Sequence, residues 1–362
     1  MMRHAGRPSR PPLAAHAAAG VASTLAARLA ATLTALALLA PPAAMAVGPA
    51  RARSHHGAGA PASRSAFASA AARGAPFQFD VIGHTLGGGG DEAAQRRAIA
   101  DAGAAGPAFI VATGVKAGAE PCSDKLYAQR RQLFDEAAVP LIVSLAGSDW
   151  TECLNSAGRS NAIERLNRLR ELFFADSQSL GGRRLPLTRQ SATAKFRSYA
   201  ENAHWEYGNV LFATINLPAR NNHFRPEAGR NSEYEDRLVA NRAWLHRLFT
   251  LAEHRKFDGL VLFSDGDVGL QAEQGFSLLS GFLPKQDGFA EPRRQIRTMT
   301  EQYKGTVLLV DAQGAAGSEA AINWHGRVGH LSLAAEWAEV RVTPGAAALF
   351  MVRGGNADVA PQ

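Results

Sequence analysis

From Phe77 onward, short apolar runs alternate with longer stretches whose apolar positions recur every three or four residues. The runs Phe77–Ile82, Ala108–Ala112, Leu141–Leu145, Asn209–Ile215, Gly259–Phe263, Thr306–Val310 and Ala338–Val342 have the length and β-branched content of strands. Most are apolar at successive positions rather than at every second one, so both faces must be covered. Between them the period changes to that of helices. Asp91 is placed to cap a helix running to about Ala102, and Asn161 with Glu164 fits a capping box ahead of Ile163, Leu166, Leu169 and Phe173. Leu238, Leu245, Leu248 and Leu251 form one apolar face of a further helix. This alternation predicts an α/β domain, and no internal repeat is detectable.

The residues after each strand are where an α/β sheet places its chemistry. The first exit reads Gly83-His84-Thr85, the second Gly114-Val115-Lys116 and the third Gly147-Ser148-Asp149. Later exits give Asn216, Asn221-Asn222-His223, Ser264-Asp265-Gly266-Asp267 and Asp311. Glycine at three consecutive exits lets the backbone turn sharply and approach a bound group closely.

The first 76 residues follow different rules. Arg3, Arg7, Arg10 and Arg28 precede the twelve-residue run Leu29–Ala40, then Pro41-Pro42 and the small-residue site Ala44-Met45-Ala46, which together read as an export signal over residues 1–46. Twelve residues are too few for a stable bilayer span, and no later segment is long and apolar enough to be one. The expected location is therefore periplasmic or secreted, with a bacterial source suggested by the alanine- and arginine-rich composition. Residues 47–76 are small, polar and broken by Gly and Pro, the composition of a disordered linker. His55-His56 within it reads as a solvated pair rather than a metal tract.

Composition adds boundaries. With 46% apolar and 20% charged residues in 362, the chain has ordinary globular make-up, enough for one large domain or two modest ones. The net charge of +7 arises from 39 basic and 32 acidic side chains; removing the four signal arginines leaves 35 against 32, or +3. That balance is too mild for a surface that tracks nucleic-acid phosphates. The only two cysteines, Cys122 and Cys153, lie in the loops after the second and third strands. Parallel pairing of those strands brings the loops together, and an exported protein has the redox compartment to join them, so a disulfide is expected.

Several stretches are identified as similar to the calcineurin-like metallophosphoesterases, and more closely to a bacterial exported branch. They are the three exits in order, "EPCSDKLYAQRRQLFDEAAVPLIVSLAGSDWTEC", "ERLNRLRELFF", "ENAHWEYGNVLFATINLPARNN" and "AEVRVTPGAAALF". The resemblance spans residues 77–352, leaving 353–362 as a tail, and implies a layered α/β sandwich of two central sheets flanked by helices. It also implies hydrolysis of phosphate esters by two adjacent metal ions that share a bridging carboxylate and activate a water.

Carried over position by position, the family's ligands are largely missing. The first aspartate falls on His84 and the motif histidine on Leu86, while Gly114-Val115 holds no aspartate to bridge two ions. Ser148 stands in the third motif, and the late histidine motif is replaced by Asp311-Ala312-Gln313-Gly314.

Two readings follow. In the first, the domain is a pseudoenzyme with no metal cofactor that binds an unknown ligand or protein partner at its strand-end cleft or on its outer surface. In the second, a site rebuilt from His84, Asp149, Asp265, Asp267 and Asp311 holds a divalent ion (manganese, iron or zinc) and retains metal-dependent phosphoesterase activity.

Other candidates weigh less. "GHTLGGGG", residues 83–90, lacks the Gly-Lys-Ser/Thr of a phosphate-binding P-loop and the spacing of a dinucleotide loop. Lys116 reads as a solvated loop lysine, and His325 and His330 as residues of a turn-rich segment outside the site. Trp205, Trp244 and Trp337 read as core residues.

Overall fold

The computed structural model describes residues 74–83, 92–225, 231–270, 287–315, 318–333 and 336–354. Contacts divide the chain into Met1–Pro61 and Ala62–Gln362. The first unit, which contains the expected export signal and His55-His56, lies outside the described residues, as do His84 and Asp91.

The second unit is a mixed α/β structure with two sheets. The five-stranded sheet has the order β12 (Phe350–Gly354), β11 (Trp337–Val342), β1 (Phe77–Ile82), β2 (Ile110–Thr113) and β3 (Leu141–Ser144). Its β1, β2 and β3 are parallel, whereas β11 runs antiparallel to both β1 and β12. The seven-stranded sheet has the order β4 (Thr188–Arg189), β5 (Ala203–Tyr207), β6 (Val210–Thr214), β7 (Gly259–Phe263), β8 (Thr306–Asp311), β10 (Val328–Ser332) and β9 (Ile322–His325). Strands β6, β7, β8 and β10 are parallel neighbours.

Alternating side chains of each strand enter different cores. Phe79, Val81, Phe109 and Val111 from one sheet meet Phe212, Val261, Phe263, Leu308 and Val310 from the other in a single apolar cluster. The opposite face of the five-stranded sheet is covered by α1 (Glu92–Ala104), α2 (Asp124–Asp135) and α3 (Ala162–Phe173) through Ile82, Ile110, Val143, Phe134 and Leu166. Leu211, Leu260, Leu262 and Leu309 face α5 (Ser232–His254) and α6 (Ala290–Gln302) on the far side of the seven-stranded sheet. Double coverage explains why β6 and β7 read as continuous apolar runs.

Most expected strands form within a residue or two of their sequence limits. The strands not anticipated carry polar or small residues: β5 holds His204 and Glu206, and β10 reads Val-Gly-His-Leu-Ser. Neither has the apolar run that marks a strand buried on both sides. The expected capping box at Asn161 is not formed with the backbone; the Asn161 amide donates to Glu164 Oε2 at 3.3 Å. Trp205 and Trp244 are buried as expected, and Trp337 packs half-buried at the edge of the core.

Between β6 and α5 the chain makes one tight turn, α4 (Ala219–Asn222), in which Arg220, Asn221, Asn222 and the following His223 all have positive φ. Left-handed backbone costs about 1–2 kcal/mol per residue, so the surroundings must hold it. The Arg237 guanidinium donates to Asn222 Oδ1 at 2.5 Å and to the Asn222 carbonyl at 2.9 Å. The Gly288 backbone N–H donates to Asn221 Oδ1, and Asn222 Nδ2 donates to the Gly288 carbonyl.

Candidate functional site: the strand exits

The exits of β2, β3, β6 and β7 converge, and two carboxylates join them. Asp149, fully buried just past β3, accepts the backbone N–H groups of Val115 (2.8 Å) and Lys116 (3.0 Å) on Oδ1 and that of Ala146 (2.8 Å) on Oδ2. Asp265, just past β7, accepts on Oδ2 the N–H groups of Gly147 and Ala219, each at 2.7 Å. The first carboxylate thus ties the β3 exit to the β2 exit, and the second ties the two sheets together. Burial pushes the Asp149 carboxyl up to about 7 and the nearby charge of Asp265 adds to this, against the pull of its three backbone donors.

Glycine is needed where these loops meet. Gly114 has φ +90, and a Cβ at Gly147 would sit 3.2 Å from Pro218 and 3.3 Å from Asp265 Oδ2.

Lys116 corrects the sequence expectation. It is not solvated but 2% exposed, with its ammonium donating to the Ala117 carbonyl at 2.7 Å. Burial lowers its pKa, partly offset by the charges of Asp149 and Glu120. A cation therefore lies within electrostatic reach of Asp149, supplied by the chain itself.

The expected disulfide is present: Cys122 and Cys153 are joined, with Cα atoms 5.8 Å apart. It links the start of α2 to the β3 exit loop. Tyr127 Oη of α2 donates to the Asp149 carbonyl at 2.7 Å, which fixes the same loop a second time.

The five residues considered for a rebuilt metal site do not form one group. Asp149 and Asp265 serve backbone N–H donors at the exits, and His84 lies outside the described residues. Asp267 and Asp311 do come together, with a residue set aside on sequence grounds. His330 is not in a turn; it lies on β10, where parallel pairing of β10 with β8 sets Ser332 opposite Asp311. Its Nε2 is 2.5 Å from Asp311 Oδ2 and 3.6 Å from Asp267 Oδ1. Burial lowers the affinity of His330 for a proton, but the Asp311 hydrogen bond and charge, with Asp267, outweigh it and raise its pKa. Nothing in the sequence marked β10 as a strand, and its parallel partner was not visible there.

Val115 offers no carboxylate at the β2 exit, and Asp149 and Asp265 both accept backbone N–H groups of the exit loops. No family model matches the chain, and no curated protein matches it. Among the described residues no helix is long and apolar enough to cross a membrane.

Proposed function

We propose that the chain is an exported protein with a calcineurin-like metallophosphoesterase fold that works by binding rather than by two-metal hydrolysis. The fold reading is supported by two mixed sheets packed face to face and covered by helices, together with the sequence stretches that resemble the family. Export is supported by the Cys122–Cys153 disulfide and the signal-like first 46 residues.

The carrying observation is the pair Asp149 and Asp265. Two metal ions would draw the exit loops together through their ligands and need a bridging negative charge between them. Here carboxylate-to-backbone hydrogen bonds draw the loops together. The cleft keeps its architecture, with Asp149 and Asp265 holding it. Its occupant is an unidentified ligand or protein partner, and nucleic acid is disfavoured by the near-neutral balance of the domain.

The test is turnover of a chromogenic phosphomonoester and phosphodiester by the purified chain with added manganese, iron or zinc. The expected result is no turnover above metal alone. Metal-dependent turnover by the parent, abolished in Asp149→Asn, would overturn the proposal and restore a hydrolytic site at the exits.

A further inference from the structure

We propose that Asp267, Asp311 and His330 form a binding site for a single divalent transition ion on the helix-covered face of the seven-stranded sheet. The inference does not depend on what the cleft binds. Its three residues come from the β7 exit, the end of β8 and the middle of β10, so the fold assembles what the sequence keeps apart.

The donor atoms converge. His330 Nε2, one Asp311 oxygen and one Asp267 oxygen all lie within 4.8 Å of one another. Ligand bonds of about 2.0–2.2 Å to zinc place neighbouring donors roughly 3–3.5 Å apart. The distances of 2.5 Å and 3.6 Å from Nε2 to the two carboxylates bracket that spacing.

Asp311 is also held as a ligand should be. Ser332 Oγ (2.6 Å) and the Gln313 N–H (2.8 Å) both donate to its Oδ1. This fixes the carboxylate plane and leaves Oδ2 turned to the histidine, the kind of outer support that orients metal ligands. Side-chain parity gives the face: Leu308 and Val310 enter the core between the sheets, whereas Val307 and Leu309 face α5 and α6, and Asp311 shares their parity. His330 and Ser332 likewise alternate with the core residue Leu331.

The chemistry selects the ion class. One imidazole nitrogen with two carboxylate oxygens suits a borderline ion such as zinc, whereas calcium and magnesium prefer all-oxygen sites. Three protein donors leave the remaining positions to water or an exchangeable ligand. The competing explanation is a protonated His330 clamped by the two carboxylates with no ion required.

Calorimetric titration of chelator-stripped, tag-free protein with zinc, with metal analysis of the product, separates the two. Asp267→Asn is the informative variant, because the side chain is 43% exposed and asparagine can still accept the Gly269 N–H that Asp267 Oδ1 now accepts at 2.6 Å. One zinc per chain is expected at this site, weakened roughly tenfold or more in Asp267→Asn, abolished in His330→Gln, and not displaced by excess magnesium. Absence of zinc binding by the parent, or zinc binding unchanged in Asp267→Asn, would overturn the site; the second result would also follow if His55-His56 were the binder. If His330→Gln does not fold, Asp267→Asn decides alone.

Discussion

Asp149 Oδ1 and the backbone N–H of Val115 meet at 2.8 Å across the exits of two neighbouring strands, 34 residues apart in sequence. The same oxygen takes the Lys116 N–H, so one buried acid holds the loop where the resemblance would place a metal-bridging group. Removing it leaves three buried N–H donors without an acceptor, at about 1–3 kcal/mol each. Asp149→Ala should therefore lower stability by about 3 kcal/mol or more, read as a shift of the urea unfolding midpoint at unchanged slope. A loss under about 1 kcal/mol would show that the exits are held by something else.

Glu233 ties acid stability to the left-handed turn. Burial alone would raise its pKa, but the charge of Arg237 and the hydrogen bonds from His223 and Arg237 outweigh it and hold the carboxyl at about 2. The unfolded value is about 4.3. A folded value below the unfolded one contributes stability that is present above about pH 4 and lost as pH falls toward 2, an amount of about 3 kcal/mol. Glu233→Gln should be less stable than the parent at pH 7, and the gap should close between roughly pH 4 and pH 2 in chemical denaturation curves.

The disulfide should matter to the whole domain. Cys122 and Cys153 are 31 positions apart, and closing such a loop stabilises by about 3–4 kcal/mol in the chain-entropy account. Thiol titration of denatured, unreduced protein should find no free thiol. The Cys122→Ser/Cys153→Ser double variant should melt several degrees lower than the parent, and equal melting temperatures would remove the bond from the stability argument.

Gly181 protects the edge of β3. Leu180 and Leu141 exchange backbone hydrogen bonds at 2.8 and 3.0 Å, and Gly182 N–H donates to the Ala137 carbonyl, so the segment seals an otherwise open strand. Between them Gly181 has φ +88, and a Cβ there would collide with the Val139 carbonyl. Gly181→Ala should cost about 2 kcal/mol or more, measured by urea unfolding. Neutrality would mean that the segment shifts freely.

Much of the domain was determined locally. The sequence pattern set β1, β7 and β8 almost to the residue, and the continuous burial of β7 followed from its having no polar face. The pairing of Cys122 with Cys153 followed from parallel strands, because neighbouring parallel strands carry their exits to one edge. The exits themselves were legible as glycines and acids after strands.

What each acid does was decided only in three dimensions. Asp149 and Asp265 differ from Asp267 and Asp311 by nothing in their own residue type, yet the first pair ties backbone N–H groups of distant loops, whereas the second, besides N–H groups two residues on, faces the His330 imidazole. Gly147 and Asp265 are 118 residues apart. Likewise, His330 sits in a stretch without an apolar run, and only pairing of β10 with β8 brings it to Asp311. Periodicity reports which face of a strand is dry, because burial repeats along the chain. It carries no record of which distant donor will stand opposite a carboxylate, since strand order and register fix that.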